Sequence, residues 1–104
     1  MTPTVHAIVH ACAAEWGTTP DLIYGPRRKR ELVLPRQAAM YLASDLRPDL
    51  SLATIGRQMK RDTKTIMHGV RRVAERMQAD DGYARRVGRA RLALGPLVQI
   101  RSAA

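Results

Sequence analysis

Asp62, Thr63, Lys64 and Thr65 stand in a row just before an apolar series, Ile66, Val70, Val73 and Met77, and His68, Arg71 and Arg72 lie in the gaps of that series. A carboxylate, two hydroxyls, an imidazole and several cations on one short segment are the equipment for hydrogen bonding to base edges and phosphates. A second cluster, Arg27, Arg28, Lys29 and Arg30, puts four cations side by side. Their mutual repulsion is relieved beside a polyanion, and an arginine on a loop can reach into a narrow minor groove.

These residues have ordinary roles as well. Asp62 is a good helix N-cap, and one carboxylate oxygen can cap while the other accepts from a cytosine amine. Thr63 and Thr65 fit a first helical turn, His68 sits more than one turn from the tip and reads better as surface filler than as a base reader, and Arg71, Arg72 and Arg76 could form a plain solvated face. Other chemistry has little support. His6, His10 and Cys12 lack a fourth ligand, so no metal is expected. There is no Gly-rich phosphate loop with its Lys-Ser/Thr, no carboxylate pair and no nucleophile with a base, so neither a cofactor nor an enzyme activity is expected.

Helices must carry these groups. TVHAIVHACAAEW, residues 4 to 16, sets Val5, Ile8, Val9, Cys12, Ala13 and Trp16 on one stripe, with Gly17 as the C-cap. TTPDLIYG reads as a Thr cap, a first-turn Pro and a short helix closed by Gly25, tucking Leu22, Ile23 and Tyr24 under the core. PRRKRE is then a basic loop, and Pro35 is expected to open the next helix, where Ala38, Ala39, Leu42, Ala43 and Leu46 recur until Arg47 and Pro48 stop it. Ser51 caps SLATIGRQM, with Leu52, Ile55 and Met59 inward. After a tight connection at Lys60 and Arg61, Asp62 starts a long helix to about residue 78. Two helices so joined form a helix-turn-helix, in which Gly56 is expected to let the second helix cross closely and the apolar series turns Thr63, Lys64, His68, Arg71 and Arg72 outward. The DDG at 80 to 82 should break that helix, YARRVGRARLAL should form a further basic helix that packs rather than lies on a membrane, and the last ten residues should fray.

Composition agrees. The chain has 104 residues, no Phe and one Trp, so Leu, Ile, Val, Met and Ala must build one modest helical core. Of the net charge of +9, residues 27 to 76 hold +8 (thirteen Lys/Arg against five Asp/Glu). Charge of one sign confined to one segment points to a polyanionic partner. With a single cysteine, no apolar run of about 18 residues and no signal-peptide order, a cytoplasmic protein at the bacterial nucleoid is expected.

In that order, RRKRELVLPRQAAMYLASDL, SLATIGRQM and RDTKTIMHGVRRV resemble the C-terminal DNA-binding domain of the bacterial replication initiator DnaA, from about residue 5 to 78. The resemblance implies that Arg28 enters the minor groove, that Arg36 and Gln37 contact the DNA backbone, and that Asp62, Thr63, Lys64 and Thr65 occupy the recognition-helix tip. Thr63 stands where the family has a base-reading His, Lys64 where it has a Thr, and the turn before Arg61 is one residue shorter. A Thr does not span the distance an imidazole spans, so altered or relaxed base preference is expected. These residues carry no ATPase module of that family, so a stand-alone protein rather than a complete initiator is expected.

The expectation is therefore an all-α fold: a helix-turn-helix domain over residues 1–78, and a C-terminal helix and tail over 79–104 that pack on it or mediate association. The expected function is sequence-selective binding of double-stranded DNA by a small regulator of transcription or replication, of phage or prophage origin. Its contacts would come from residues 27–30, Arg36, Gln37, Ser51, Leu52, Lys60, Arg61, residues 62–65, His68, Arg71 and Arg72. A homodimer, built on Leu92, Leu94, Leu97, Val98 and Ile100, or a replication or transcription protein are further expected partners. An RNA-binding or ribosome-associated protein is the first alternative, disfavoured because A-form major grooves exclude side chains and the chain is poor in aromatic platforms. An adaptor for an acidic protein is the second.

Overall fold

The computed structural model describes residues 2–95. Six helices follow one another: α1 (Val5–Glu15), α2 (Pro20–Tyr24), α3 (Arg30–Leu46), α4 (Leu52–Met59), α5 (Thr63–Ala79) and α6 (Asp81–Ala93), with no strand among the described residues. The all-α expectation is met. Side-chain caps open five of them: Thr4, Thr19, Ser51, Asp62 and Asp80 each accept a backbone N–H from the first turn. Those bonds satisfy donors that helix geometry leaves without an internal partner. Gly17, at φ +67°, ends α1 as foreseen: its N–H goes to Ala14 and that of Thr18 to Ala13.

Two boundaries and the role of one glycine differ from expectation. Helix α3 begins at Arg30, not at Pro35, which is buried inside it. Pro35 removes a single ladder bond, and the N–H groups of Leu32 and Val33 have already closed the first turn on the Lys29 carbonyl. Burial of Leu32 along with Pro35, about 1.5–3 kcal/mol for a large aliphatic side chain, offsets the loss. Consequently Arg30 and Glu31 belong to the helix and the basic loop ends at Lys29. The DDG segment is not a break of three residues: Asp80 alone ends α5, donating its N–H to Arg76, and caps α6 by accepting from Tyr83. Gly56 admits the turn rather than the second helix, since a Cβ there would lie 2.5 Å from the Arg61 carbonyl oxygen. The glycine at the helix crossing is Gly69, which meets the Met40 side chain of α3.

One core joins all six helices. Val5, Ile8, Val9 and Cys12 of α1 meet Ala39, Leu42 and Ala43 of α3, Ile55 and Met59 of α4, and Ile66 and Val73 of α5. Val70 and Met77, expected inward, are half-buried against this cluster. Tyr83, Val87 and Ala90 of α6 complete it, and the Tyr83 hydroxyl donates to the Leu34 carbonyl at 3.1 Å. Leu92 is exposed, while Leu97, Val98, Ile100 and the tail expected to fray lie outside the described residues. No described helix is long and apolar enough to cross a membrane.

Candidate nucleic-acid interface

Helix α5 is aimed by its apolar stripe. Because Ile66 and Val73 are sealed in the core, the Asp62–Thr65 tip, His68, Arg71 and Arg72 face outward. Asp62 Oδ1 accepts from the Thr65 N–H at 2.8 Å, and that bond holds the carboxyl below its usual range, so it stays an anionic acceptor. The rest of the first turn offers free backbone N–H groups at the positive end of the helix dipole, a setting that favours phosphate.

The basic loop lies beside that tip. Arg27, Arg28, Lys29 and Arg30 are all exposed, and none forms an ion pair among the described residues. Arg28 shares one open groove with Gln37, Lys60, Thr65 and His68, floored by Val33 and Met40. A second groove runs on from it between Arg28 and Arg30 on one side and His68, Arg72 and Arg76 on the other. Lys60, in the left-handed conformation at φ 61°, is thrown outward by the turn, with its ammonium 6.0 Å from the centre of the Tyr24 ring.

Two expected contact residues are committed to the protein itself. Arg36 is only 5% exposed, and its guanidinium donates to the carbonyls of Ile23, Arg27, Leu22 and Gly25 at 2.7–3.1 Å. Arg61 likewise donates to the carbonyls of Tyr24, Met59, Lys60 and Gly25. Fork-shaped donors suit clustered carbonyls, and both arginines, while lining the groove beside Arg28, hold the basic loop in place. Gln37 lines both grooves, and its Oε1 accepts from Arg76 Nη1 at 3.1 Å. Ser51 caps α4 and Leu52 packs on the core, and neither lines these grooves; nor do Arg71, Thr63 or Lys64, although all three are exposed.

Arg76, weighed with Arg71 and Arg72 as a solvated face but not among the expected contacts, lines the second groove. His68, Arg72 and Arg76 follow each other at i+4, which is one stripe of a helix and could have been read from spacing. Tyr24 was missed because its part is played by a backbone carbonyl, for which the side chain gives no signal. The His6 and His10 imidazoles hydrogen-bond each other at 2.9 Å, and His6 also meets the Tyr24 hydroxyl. Cys12 instead points into the core, where burial, and then the charge of Glu15, push its thiol up to about 12.

Residues 5–73 match the family model described as the bacterial dnaA protein helix-turn-helix. The chain belongs to that family. The DnaA-family match runs from α1 into α5 and stops short of α6. Among its relatives, the chromosomal replication initiator protein DnaA of Deinococcus radiodurans is 46% identical over 77 residues, covering 74% of this chain and 16% of the relative. That of Cereibacter sphaeroides is 43% identical over 82 residues, 78% of this chain and 18% of the relative. DnaA 1 of Chlamydia trachomatis is 36% identical over 81 residues, again 78% of this chain and 17% of the relative. The chain thus spans less than a fifth of the length of the relatives it matches.

Proposed function

We propose that this chain is a double-stranded DNA-binding module of the DnaA type, reading a short site and acting in the control of replication or transcription. What carries the reading is that Arg28 and Thr65, the last residue of the α5 tip, open onto one groove, between the loop and the recognition helix. A loop arginine in the minor groove and a helix tip in the adjacent major groove must straddle the sugar-phosphate strand that separates the two. The groove is the bed for that strand, with Lys60, Thr65, Gln37 and His68 as its donors. His68 therefore faces phosphate rather than a base edge, and Asp62, Thr63 and Lys64 are the residues left to meet bases. The family name adds that relatives carrying this helix-turn-helix are replication initiators.

Selection from a random duplex pool tests the reading. It should yield one short motif, bound with a Kd of about 10–100 nM and with affinity falling steeply as salt rises. A duplex RNA of the same sequence should compete poorly. Recovery of no motif, or equal competition by RNA, would sink the proposal. Exchanging Thr63 for His should change the selected bases without changing the salt dependence, since it alters a base contact and leaves the phosphate contacts alone.

A further inference from the structure

Segment 22–27 leads into Arg28, and its carbonyls are held from two directions. Arg36 of α3 takes those of Leu22, Ile23, Gly25 and Arg27, while Arg61, in the turn before α5, takes those of Tyr24 and Gly25. The Gly25 carbonyl is where both guanidiniums meet. Neither is paired with a carboxylate among the described residues, and both are driven below the usual arginine range, Arg36 to about 10 by burial and then by Arg61, and Arg61 by burial. Bringing two like charges together costs desolvation, which the carbonyls around them offset.

The main chain of Arg61 is equally fixed. Its N–H donates to the Gly56 carbonyl at 2.8 Å, and its own carbonyl occupies the space beside Gly56 that a side chain would fill. The next residue is Asp62, the cap of α5. One residue therefore reaches from the root of the recognition helix to the root of the basic loop.

We propose that Arg61 is a positioning residue that locks the loop carrying Arg28 to the tip of α5, so that the two grooves are read as a single unit. The proposal rests on the DNA-binding reading above. A loop already ordered by its backbone loses less freedom on binding, so the contact made by Arg28 depends on the anchorage that Arg61 provides. Arg36 braces the same segment from α3, but the Tyr24 carbonyl is bound by Arg61 and not by Arg36, and only Arg61 ties the segment to the root of α5.

The test is a double-mutant cycle on the whole chain, with the fluorescently labelled duplex recovered by selection as probe. In the wild-type background Arg28→Ala should weaken binding about tenfold to a hundredfold. In an Arg61→Ala background the same change should cost less than about threefold, because the loop arginine no longer arrives in register. Arg61→Lys keeps a charge but gathers its donors on one nitrogen in place of the rigid planar pair that meets Tyr24 and Gly25, so it should behave as the alanine variant does. It also carries the cycle if Arg61→Ala melts below the assay temperature, as followed by helical circular dichroism. An Arg28→Ala penalty of full size in either Arg61 background overturns the proposal, as does full affinity in Arg61→Lys, since a simple phosphate contact would tolerate lysine. A wild-type chain that binds no duplex defeats the DNA reading itself, whereas a chain that binds normally with an additive cycle defeats only the coupling.

Discussion

Arginines that look alike in the sequence take different roles here, and hydrogen-bond partners separate them. Arg28 has an open groove before it, whereas Arg36 has four carbonyls of its own chain. Replacing Arg36 with Met should therefore lower stability by about 2 kcal/mol or more, through carbonyls left without their charged donor. Denaturant unfolding would measure this, and the salt dependence of DNA binding should keep its slope because no phosphate contact is lost. Lys60 is the reverse case. Its left-handed backbone is strained for a side chain, so Lys60→Gly should raise stability by about 0.5 kcal/mol, the relief of strain exceeding the added freedom of the unfolded chain. The same variant should bind duplex more weakly, with the slope of log K against log salt reduced by about 0.9. A gain in stability together with a loss in binding would mark Lys60 as a residue kept for its position over the groove.

The turn between α4 and α5 sets the direction of the recognition helix, and its tolerance is small. Gly56→Ala would drive a methyl group into the Arg61 carbonyl, so destabilisation of about 1–3 kcal/mol is expected despite the better helix propensity of Ala. A shift of the thermal midpoint would report it, and a variant as stable as the wild type would show that the turn can move aside. At this scale much was legible in the sequence. Caps at Thr19, Ser51 and Asp62, the αL glycine at 17 and the buried face of α5 were all foreseeable, since each is a local rule acting on adjacent residues. Pro35 misled because a proline near a helix start is tolerated wherever burial rewards continuation, and burial is settled by the rest of the molecule. For Arg36 and Arg61 a sequence shows the cation but not the carbonyls that surround it, so their bracing of the loop from within the groove lining was not legible. Arg28 of the loop and Thr65 of the tip line one groove, but the residues that brace them came only from tertiary geometry.

Across the whole molecule, α1 and α6 are tied by Glu15, whose carboxylate accepts from Arg89 at 3.0 Å and from Arg86 at 3.4 Å. The Arg86 guanidinium also lies 4.7 Å from the centre of the Trp16 ring. Hydrogen bonding by Arg89 is the foremost reason that the Glu15 carboxyl sits below its usual 4.5. A group with a depressed folded-state pKa stabilises fully above its unfolded value and loses that contribution as pH falls through the folded one. Melting temperature should therefore decline as pH drops below about 4.5, and Glu15→Gln should flatten part of that decline while lowering the plateau at neutral pH. An unchanged profile would remove Glu15 from the acid sensitivity. Asp80 carries a different consequence, because it closes one helix and opens the next with no spacer between them. Adding one residue ahead of it would advance α6 by about 1.5 Å and rotate it by about 100°, swinging Tyr83, Val87 and Ala90 away from the interior they fill. The length of the recognition helix is thus quantised by the final helix: evolution can repaint the side chains that face DNA, yet it cannot extend their rod by a single unit without rebuilding the far end of the protein.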